Sequence, residues 1–263
     1  MKVGLIGAGN MARALARGWG DPVLCSDSGS GRAAALAQEL GGRAASNLEV
    51  AREADLVVLC HKPYQLHAIA QEIAGEAKAV VSILGATTLS DLGRAYPGVP
   101  VFRIEPNTPV EVRRGVLLWA DPDDSPGDGS EDAVATGRVE LLRHDVRALF
   151  ERVGWVTRVP ERLLGAAAAV SAVGPAYLAL VAEAWTDAAI RHGLTPKQAS
   201  GLTIATMAGT ADLLAVRDGD TLAVRREVTS PGGSTARGLD ALERAGLRSA
   251  FADAMDAVNR TAR

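Results

Sequence analysis

The stretch Val3-Gly4-Leu5-Ile6-Gly7-Ala8-Gly9-Asn10-Met11-Ala12 decides the fold of the N-terminal half. Its apolar run, Val3–Ile6, predicts a buried strand, and the glycine-rich turn that follows opens a helix. Gly7 permits a tight turn, Gly9 lets a ligand approach the backbone, and Ala12 lets helix and strand pack closely, as the G-x-G-x-x-G/A dinucleotide pattern requires. We therefore expect a pyrophosphate at the N-terminus of this helix.

An acidic residue lies where this pattern needs one. Asp27 follows the second apolar run, 20 positions after Gly7, where it would bind the ribose hydroxyls of NAD. Because a carboxylate there repels the 2′-phosphate of NADP, the sequence slightly favours NADH. The alternative stays open, since the serines of this loop and Arg32 could bind that phosphate if the loop turned Asp27 away: Ser26, Ser28 and Ser30.

The first half of the chain alternates apolar runs with helical patterns such as Met11–Trp19 and Arg32–Leu40. Further strands are predicted at Val23–Cys25, Leu56–Cys60, Val80–Ile83, Val99–Ile104, Val116–Ala120 and Trp155–Val159. This alternation predicts an α/β fold: a Rossmann-type, doubly wound parallel sheet with helices on both faces.

The second half is alanine-rich and helical. We expect a dinucleotide-binding domain over residues 1–160 and an all-α dimerisation and substrate-binding domain over residues 161–263. A helical core with so few aromatic residues is thin, so a second copy of the chain would bury the remaining apolar surface. Ala166–Ala182 has no charge and approaches a membrane span, but Gly174-Pro175 interrupts it; a buried, kinked helix is the prediction.

A second glycine turn lies at Val228-Thr229-Ser230-Pro231-Gly232-Gly233-Ser234-Thr235. Pro231 ends the preceding helix, and the two glycines turn the backbone tightly. Ser234 or Thr235 would cap the next helix. The backbone N–H groups at this helix start suit a carboxylate or a phosphate.

Composition excludes several classes of partner. Lys and Arg total 28 against 31 Asp and Glu, so no basic excess points to nucleic acid or a membrane surface. Cys25 and Cys60 lack metal-like spacing and indicate a reducing compartment. With no convincing signal peptide, we expect a cytoplasmic protein without a metal site. The acidic stretch Asp121–Asp132 predicts a solvated loop of unassigned role.

Together, these motifs resemble those of the pyrroline-5-carboxylate reductase family, which catalyses the last step of proline biosynthesis. The matching pieces cover nearly the whole chain in order: Gly7–Met11, Val57–Pro63, Pro106–Pro109, Gly174–Tyr177 and Ser230–Thr235. The resemblance implies reduction of the ring C=N bond of 1-pyrroline-5-carboxylate to L-proline by NADH or NADPH. It also implies a homodimer through the C-terminal helices, sometimes assembled into larger rings.

The resemblance also implies site residues. The cofactor would be bound by Gly7, Ala8, Gly9, Asn10, Met11, Asp27, Asn47, Cys60, His61, Lys62, Pro63, Ser82, Ile83 and Leu84. The substrate would be bound by Gly232, Gly233, Ser234, Thr235 and Asn107, with the Thr235 hydroxyl near the imine nitrogen as a catalytic group. A protonated imine is already an electrophile, so the protein mainly has to position it.

Three positions depart from the family pattern. Glu105 replaces a Met, Ala172-Val173 replaces Gly-Ser, and Leu84-Gly85-Ala86 replaces Ala-Ala-Gly. Glu105 would be catalytic if it stabilised the iminium or donated its proton. It would alter specificity if the substrate were a different cyclic imine. It would have no role in the reaction if it turned away and paired with an arginine such as Arg103.

Other functions remain as alternatives. A family paralogue could reduce another cyclic imine in a specialised pathway, and a catalytically silent protein could retain nucleotide binding alone. A β-hydroxyacid dehydrogenase shares the Rossmann start, but it would carry a catalytic lysine on the long helix, and Ala166–Ile190 contains none.

Overall fold

The protein is described here by a computed structural model that covers residues 1–122 and 137–260, with the side chains of residues 137, 138 and 260 left out. Most of the predicted acidic loop, Asp121–Asp132, lies outside these described residues. The described strands are β1 (Val3–Ile6), β2 (Leu24–Ser26), β3 (Arg43–Ala44), β4 (Leu56–Leu59), β5 (Val80–Ser82), β6 (Val101–Pro106), β7 (Gly115–Asp121) and β8 (Gly154–Pro160).

These strands form one sheet in the order β3-β2-β1-β4-β5-β6-β7-β8. The first six are parallel, as the sequence predicts. The α/β fold class is confirmed, and so are the two predicted edge strands, β7 and β8.

The prediction of an entirely parallel sheet is wrong at one edge. Strand β7 runs antiparallel to β6, and β8 runs parallel to β7. Residues 107–114, which form a short 3-10 helix at Thr108–Val112, are all that join β6 to β7. A parallel crossover needs a dozen residues or more, so the chain reverses here instead.

Strand β3 was not predicted. Arg43 and Ala44 are both exposed, and neither belongs to an apolar run. Their pairing with β2 is a backbone interaction at the sheet edge, which leaves no hydrophobic pattern in the sequence.

Helices cover both faces of the sheet. The described helices are α1 (Asn10–Trp19), α2 (Arg32–Leu40), α3 (Asn47–Glu53), α4 (Leu66–Ile73), α5 (Leu89–Ala95), α6 (Gly137–Glu151), α7 (Leu164–Ser171), α8 (Gly174–Arg191), α9 (Pro196–Val216), α10 (Thr221–Glu227), α11 (Ser234–Arg244) and α12 (Leu247–Arg260). One core contains Leu15, Leu36 and Phe150, and the other contains Ile69 and Leu92. Both are built from side chains that alternate across the strands.

The chain divides into two compact units, residues 1–175 and residues 176–263. The predicted domain boundary at 160/161 stays a prediction. In the second unit, the described helices bury few residues: Ala199 and Thr203 are buried on α9, and no described residue of α8 is. The second unit therefore leaves most of its apolar surface exposed within a single chain.

The sequence predicts one helix kinked at Gly174-Pro175, but the structure has two: α7 ends at Ser171, and α8 starts at Gly174. The predicted burial of this region is wrong for a single chain, in which Leu178, Leu180 and Trp185 are exposed. Two segments, Glu161–Arg191 and Pro196–Val216, are long and apolar enough to cross a membrane by length and composition alone. That is weak evidence, since the core helices of soluble proteins pass the same test.

Candidate active site

The glycine turn after β1 opens into a cleft of about 540 Å³ at the carboxyl edge of the parallel strands. Its lining is Ile6, Gly7, Ala8, Gly9, Asn10, Met11, Asp27, Ser28, Ser30, Arg32, Asn47, Cys60, His61, Lys62, Gln65 and Ile69. Most of the cofactor residues predicted from the sequence are thus brought together. This is the edge at which open α/β sheets bind ligands.

Gly7 and Gly9 are glycines for different reasons. Gly7 has φ +103°, and a Cβ there would lie 2.7 Å from the backbone of Cys60 and His61. A Cβ on Gly9 would meet no described atom within 4 Å, so this position faces open space. Ala12 is buried, where helix α1 packs on the sheet. The tight turn, the open approach and the close packing predicted for these three positions are all present.

The N-terminus of α1 is available to an anion. Its N-cap is Gly9, and no described side chain accepts a hydrogen bond from the first turn. By contrast, Ser46 and Thr88 cap their helices with side-chain oxygens. The free N–H groups and the helix dipole make this turn suitable for a pyrophosphate.

Asp27 is held by its own loop. One carboxylate oxygen accepts the Gly29 N–H at 2.8 Å, and the other accepts the Ala33 N–H and the Ser30 hydroxyl, both at 2.9 Å. The bond from Ala33 is the main cause of its lowered pKa. Asp27 is therefore ionised, and much of its hydrogen-bonding capacity is used within the loop.

Two cationic side chains line the cleft. The Arg32 guanidinium and the Lys62 ammonium form no hydrogen bond or ion pair with any described residue. The Lys62 backbone N–H donates to the Gln65 side chain at 3.1 Å, which fixes the loop after β4. These charges favour a polyanionic ligand. Sequence reasoning missed Gln65, although it stands three residues after Lys62, where it can reach back to that N–H.

His61 is partly buried at the cleft. Its Nδ1 lies 2.8 Å from the Lys62 carbonyl oxygen, while the buried Nε2 has no partner among the described residues. Burial lowers the His61 pKa, so the ring is neutral at neutral pH. Burial also raises the pKa of the neighbouring Cys60 thiol, which excludes a thiolate nucleophile there. A buried ring nitrogen without a partner suits contact with a bound ligand.

Asn47 is also fixed at the cleft. Its Oδ1 accepts the Ser26 hydroxyl at 2.6 Å, and its Nδ2 donates to Glu72 at 2.8 Å. The remaining predicted cofactor residues, Pro63 and Ser82–Leu84, do not line this cleft. Pro63 lies after β4, Ser82 ends β5, and Ile83 and Leu84 follow it at the same edge. Ser82 and Leu84 are buried, and Ile83 packs against the core.

Glu105 lies near the carboxyl end of β6, partly buried, and forms no hydrogen bond or ion pair with any described residue. Burial raises its pKa, and the charge of Arg103 offsets part of that effect. Arg103 itself donates to Glu161 at 2.6 Å. The interpretation that Glu105 pairs with this arginine is therefore wrong.

The side-chain amide of Asn107 forms hydrogen bonds within the first unit. Its amide oxygen accepts the Val116 N–H at 2.8 Å, and its amide nitrogen donates to the Ser171 carbonyl at 2.9 Å. These bonds join β6, β7 and the end of α7. They also bring the strand that carries Glu105 to the residue before Ala172-Val173, so two of the departures from the family pattern lie on connected segments.

The second glycine turn opens α11, with Gly233 as its N-cap. The prediction that Ser234 or Thr235 caps this helix is wrong, because both already lie within the first turn and no described side chain caps it. Gly232 has φ +67°, and Arg237 donates to its carbonyl at 2.7 Å. The free N–H groups at Ser234 and Thr235 thus remain available to a carboxylate.

The described residues contain no group of three or more His, Cys, Asp or Glu side chains that could hold a metal ion. The cleft does fit a dinucleotide: Gly7 sets a turn that a Cβ would block, Gly9 faces open space, and cations line the wall. The hydride chemistry of a nicotinamide cofactor would be supplied here.

Comparisons with known proteins agree with this geometry. Residues 161–263 match a family model described as pyrroline-5-carboxylate reductase dimerisation. Residues 2–85 match a model described as NADP oxidoreductase, coenzyme F420-dependent.

Related proteins match most of the chain. This chain is 33% identical to the pyrroline-5-carboxylate reductase of Synechocystis sp. over 81% of its own length and 76% of that protein. It is 32% identical to the Thermus thermophilus enzyme of the same name, over 99% and 97% of the two chains. The solved structure of a pyrroline-5-carboxylate reductase from Coxiella burnetii superimposes with a TM-score of 0.81 at 28% identity, over 98% and 96%.

Proposed function

The chain belongs to the pyrroline-5-carboxylate reductase family, and we propose that it reduces the ring C=N bond of 1-pyrroline-5-carboxylate to L-proline with a nicotinamide hydride. The observation that carries this proposal is the glycine turn and its cleft at the carboxyl edge of the sheet. It is the last reaction of proline biosynthesis. The turn of α1 would hold the cofactor pyrophosphate, and Lys62 and His61 would contact the cofactor beyond it.

We propose that the cleft prefers NADPH, in place of the slight NADH preference that Asp27 indicates in the sequence. The Asp27 carboxylate accepts three hydrogen bonds within its own loop, so less of it is left for ribose hydroxyls. Ser28 and Arg32 line the cleft, and their side chains bond to no described residue. A guanidinium beside a hydroxyl suits a 2′-phosphate.

The test of cofactor preference is the affinity of Arg32→Gln for NADPH and NADH, measured by quenching of protein fluorescence. We expect NADPH binding to weaken by about tenfold, or about 1.4 kcal/mol, with NADH binding unchanged. Arg52→Gln is the matched control, because Arg52 is an exposed arginine that pairs with Glu76 outside the cleft. Equal losses for both cofactors, or tighter NADH binding by the wild type, would contradict this preference.

The second turn would bind the substrate carboxylate through the N–H groups of Ser234 and Thr235, with the Thr235 hydroxyl directed to the ring nitrogen. The Gly233 N–H, which the sequence also predicts as a donor, instead donates to the Ser230 carbonyl at 3.0 Å. The free N–H groups of α11 support this role.

The exposed apolar residues of α8 and α9 and the match to the dimerisation family model support a homodimer. A higher oligomer and a cytoplasmic location also stay proposals; the free thiols of Cys25 and Cys60 are those of a reducing compartment.

The function is tested by steady-state oxidation of NADPH and NADH with racemic 1-pyrroline-5-carboxylate. We expect turnover of one enantiomer, and formation of proline in equal amount to the oxidised cofactor. Glu105 favours one alternative, the reduction of a different cyclic imine. Cofactor binding without turnover of this substrate, together with turnover of another cyclic imine, would favour that alternative.

A further inference from the structure

Strand register locates Glu105 within the sheet edge. Ile6, Leu59, Ser82 and Arg103 lie in one row across β1, β4, β5 and β6. Glu105 lies two residues beyond that row, on the carboxyl side and on the same face as Arg103. In the strand order, β6 is on the opposite side of β1 from β2 and Asp27. A dinucleotide with its ribose near Asp27 would extend its nicotinamide half toward this side.

The cross-strand neighbour of Glu105 is apolar. Its partner across the antiparallel pair is Leu118, which packs with Ala120 and Leu164. The nearest cation on its face, Arg103, is bonded to Glu161, whose oxygen also accepts the Leu89 N–H at 2.7 Å. A partly buried carboxyl group without a partner is costly unless a ligand satisfies it.

Few charged groups surround this carboxyl group. Among the elements packed around β6, α7 and residues 116–120 of β7 carry no titratable side chain. Asp91 and Arg94 of α5 pair with each other, and Arg103 pairs with Glu161. Burial is the main cause of the raised Glu105 pKa, so the group can hold a proton at higher pH than an exposed glutamate.

We propose that Glu105 is a catalytic acid that shares its proton with the ring nitrogen of the cyclic imine during reduction. This inference rests on the proposed function and assigns a role to a position where the family pattern has methionine. The partly buried carboxyl group, its apolar cross-strand neighbour Leu118 and its place on the side of β1 opposite Asp27 carry it.

The proposed step conserves atoms and charge. The Glu105 O–H bond breaks as an N–H bond forms at the ring nitrogen, which leaves a carboxylate facing an iminium. A hydride from a bound nicotinamide would then reduce the ring carbon, and the electron pair of the C=N π bond would become the lone pair of the amine. Glu105 regains its proton from water. The resulting ion pair makes the imine easier to protonate within the site.

The test is the pH dependence of kcat at saturating NADPH for the wild type, Glu105→Gln and Glu105→Met. We expect the decline of kcat at high pH to begin about one pH unit lower in both variants, because the imine loses its carboxylate partner. At low pH, where the free imine is already protonated, the three rates should converge. Glu151→Gln is the control: Glu151 is an exposed glutamate paired with Arg147, and its variant should match the wild type at every pH.

The outcomes separate the two proposals. A wild type without turnover of 1-pyrroline-5-carboxylate would overturn the proposed function, and this inference with it. A working wild type whose pH profile is shared by both variants would overturn only the role of Glu105. A uniform loss of rate at all pH values, with the decline unmoved, would show a structural role and would also overturn it.

Discussion

The two glycine turns of this chain look alike in sequence but are held in different ways. Each starts a helix with a glycine N-cap and no described side-chain cap, at Gly9 for α1 and Gly233 for α11. A Cβ on Gly7 would collide with the backbone after β4. A Cβ on Gly232 would meet no described atom within 4 Å, and one on Gly233 would meet only Ser230 of its own turn.

The two turns differ in how much of the structure around them comes from their own compact unit. The first turn is enclosed by strands and by the loop after β4, so the first unit builds a cleft around it. The second turn is shaped by local backbone geometry, in a unit whose described helices bury few residues. A second copy of the chain is the natural source of further surroundings for it.

The largest effect is expected from Gly7→Ala. Its Cβ would collide with the backbone of Cys60 and His61. We therefore expect the free energy of unfolding to fall by about 3 kcal/mol and NADPH binding to be lost. Gly9→Ala is the matched variant: its stability should stay at the wild-type level while NADPH binding weakens, because only the ligand needs that space. Thermal unfolding and cofactor titration measure both. An equal loss of stability in the two variants would contradict the separate roles.

The dimer prediction concerns the second unit. Leu180→Glu places a charge on the exposed apolar face of α8. We expect the dimer to lose the free energy of burying this leucine, about 2 kcal/mol per protomer, and the protein to become monomeric. Leu141→Glu is the control, since Leu141 is similarly exposed on α6 of the first unit. Light scattering after gel filtration gives the mass. A Leu180→Glu protein that stays dimeric would place the interface elsewhere.

A smaller effect should distinguish the second turn from an ordinary loop of the same unit. Gly232→Ala places an alanine at φ +67°, which should lower the free energy of unfolding by about 1 kcal/mol. It should also raise the substrate KM. Gly219 has φ +78° and equally open space, so Gly219→Ala should cost the same stability and leave KM unchanged. Urea unfolding and steady-state kinetics separate the two. Equal KM values would argue against carboxylate binding at Gly232.

The smallest effect should come from Ala86, which has φ +55° where the family pattern has glycine. Ala86→Gly relieves left-handed strain in the loop after β5 and should stabilise the fold by about 0.5 kcal/mol. Ala74, at φ −60° after α4, is the control, because glycine there should destabilise. A lower melting temperature for Ala86→Gly would mean that this alanine is not strained in solution.

Much of the cofactor cleft could be read from the sequence because its signals are local. The glycine turn, the acidic residue after β2 and the Lys-Pro step after β4 each follow an apolar run that marks a strand end. Parallel strands bring such ends to one edge, so linear spacing becomes proximity. This reasoning missed lining groups such as Gln65, and it included Pro63 and Ser82–Leu84, which do not line the cleft.

Other features depend on partners distant in sequence. Arg103 pairs with Glu161, 58 positions away, and so leaves Glu105 without an ion pair among the described residues; no local pattern indicates that choice. The use of the Asn107 amide by Val116 and Ser171 is of the same kind. The reversal of β7 and the edge strand β3 arise from backbone pairing, which carries little side-chain signature.

By itself, the sequence determined the fold class, the family and the position of both glycine turns, because backbone freedom at glycine and the periodicity of apolar residues are properties of short segments. The tertiary structure decided what those segments do. It bound Asp27 into its own loop, left Arg32 open to the cleft, and placed Glu105 opposite Leu118, with no hydrogen-bond or ion-pair partner among the described residues. Charge and hydrogen-bonding capacity depend on which neighbours remain free, and only the folded chain sets those neighbours.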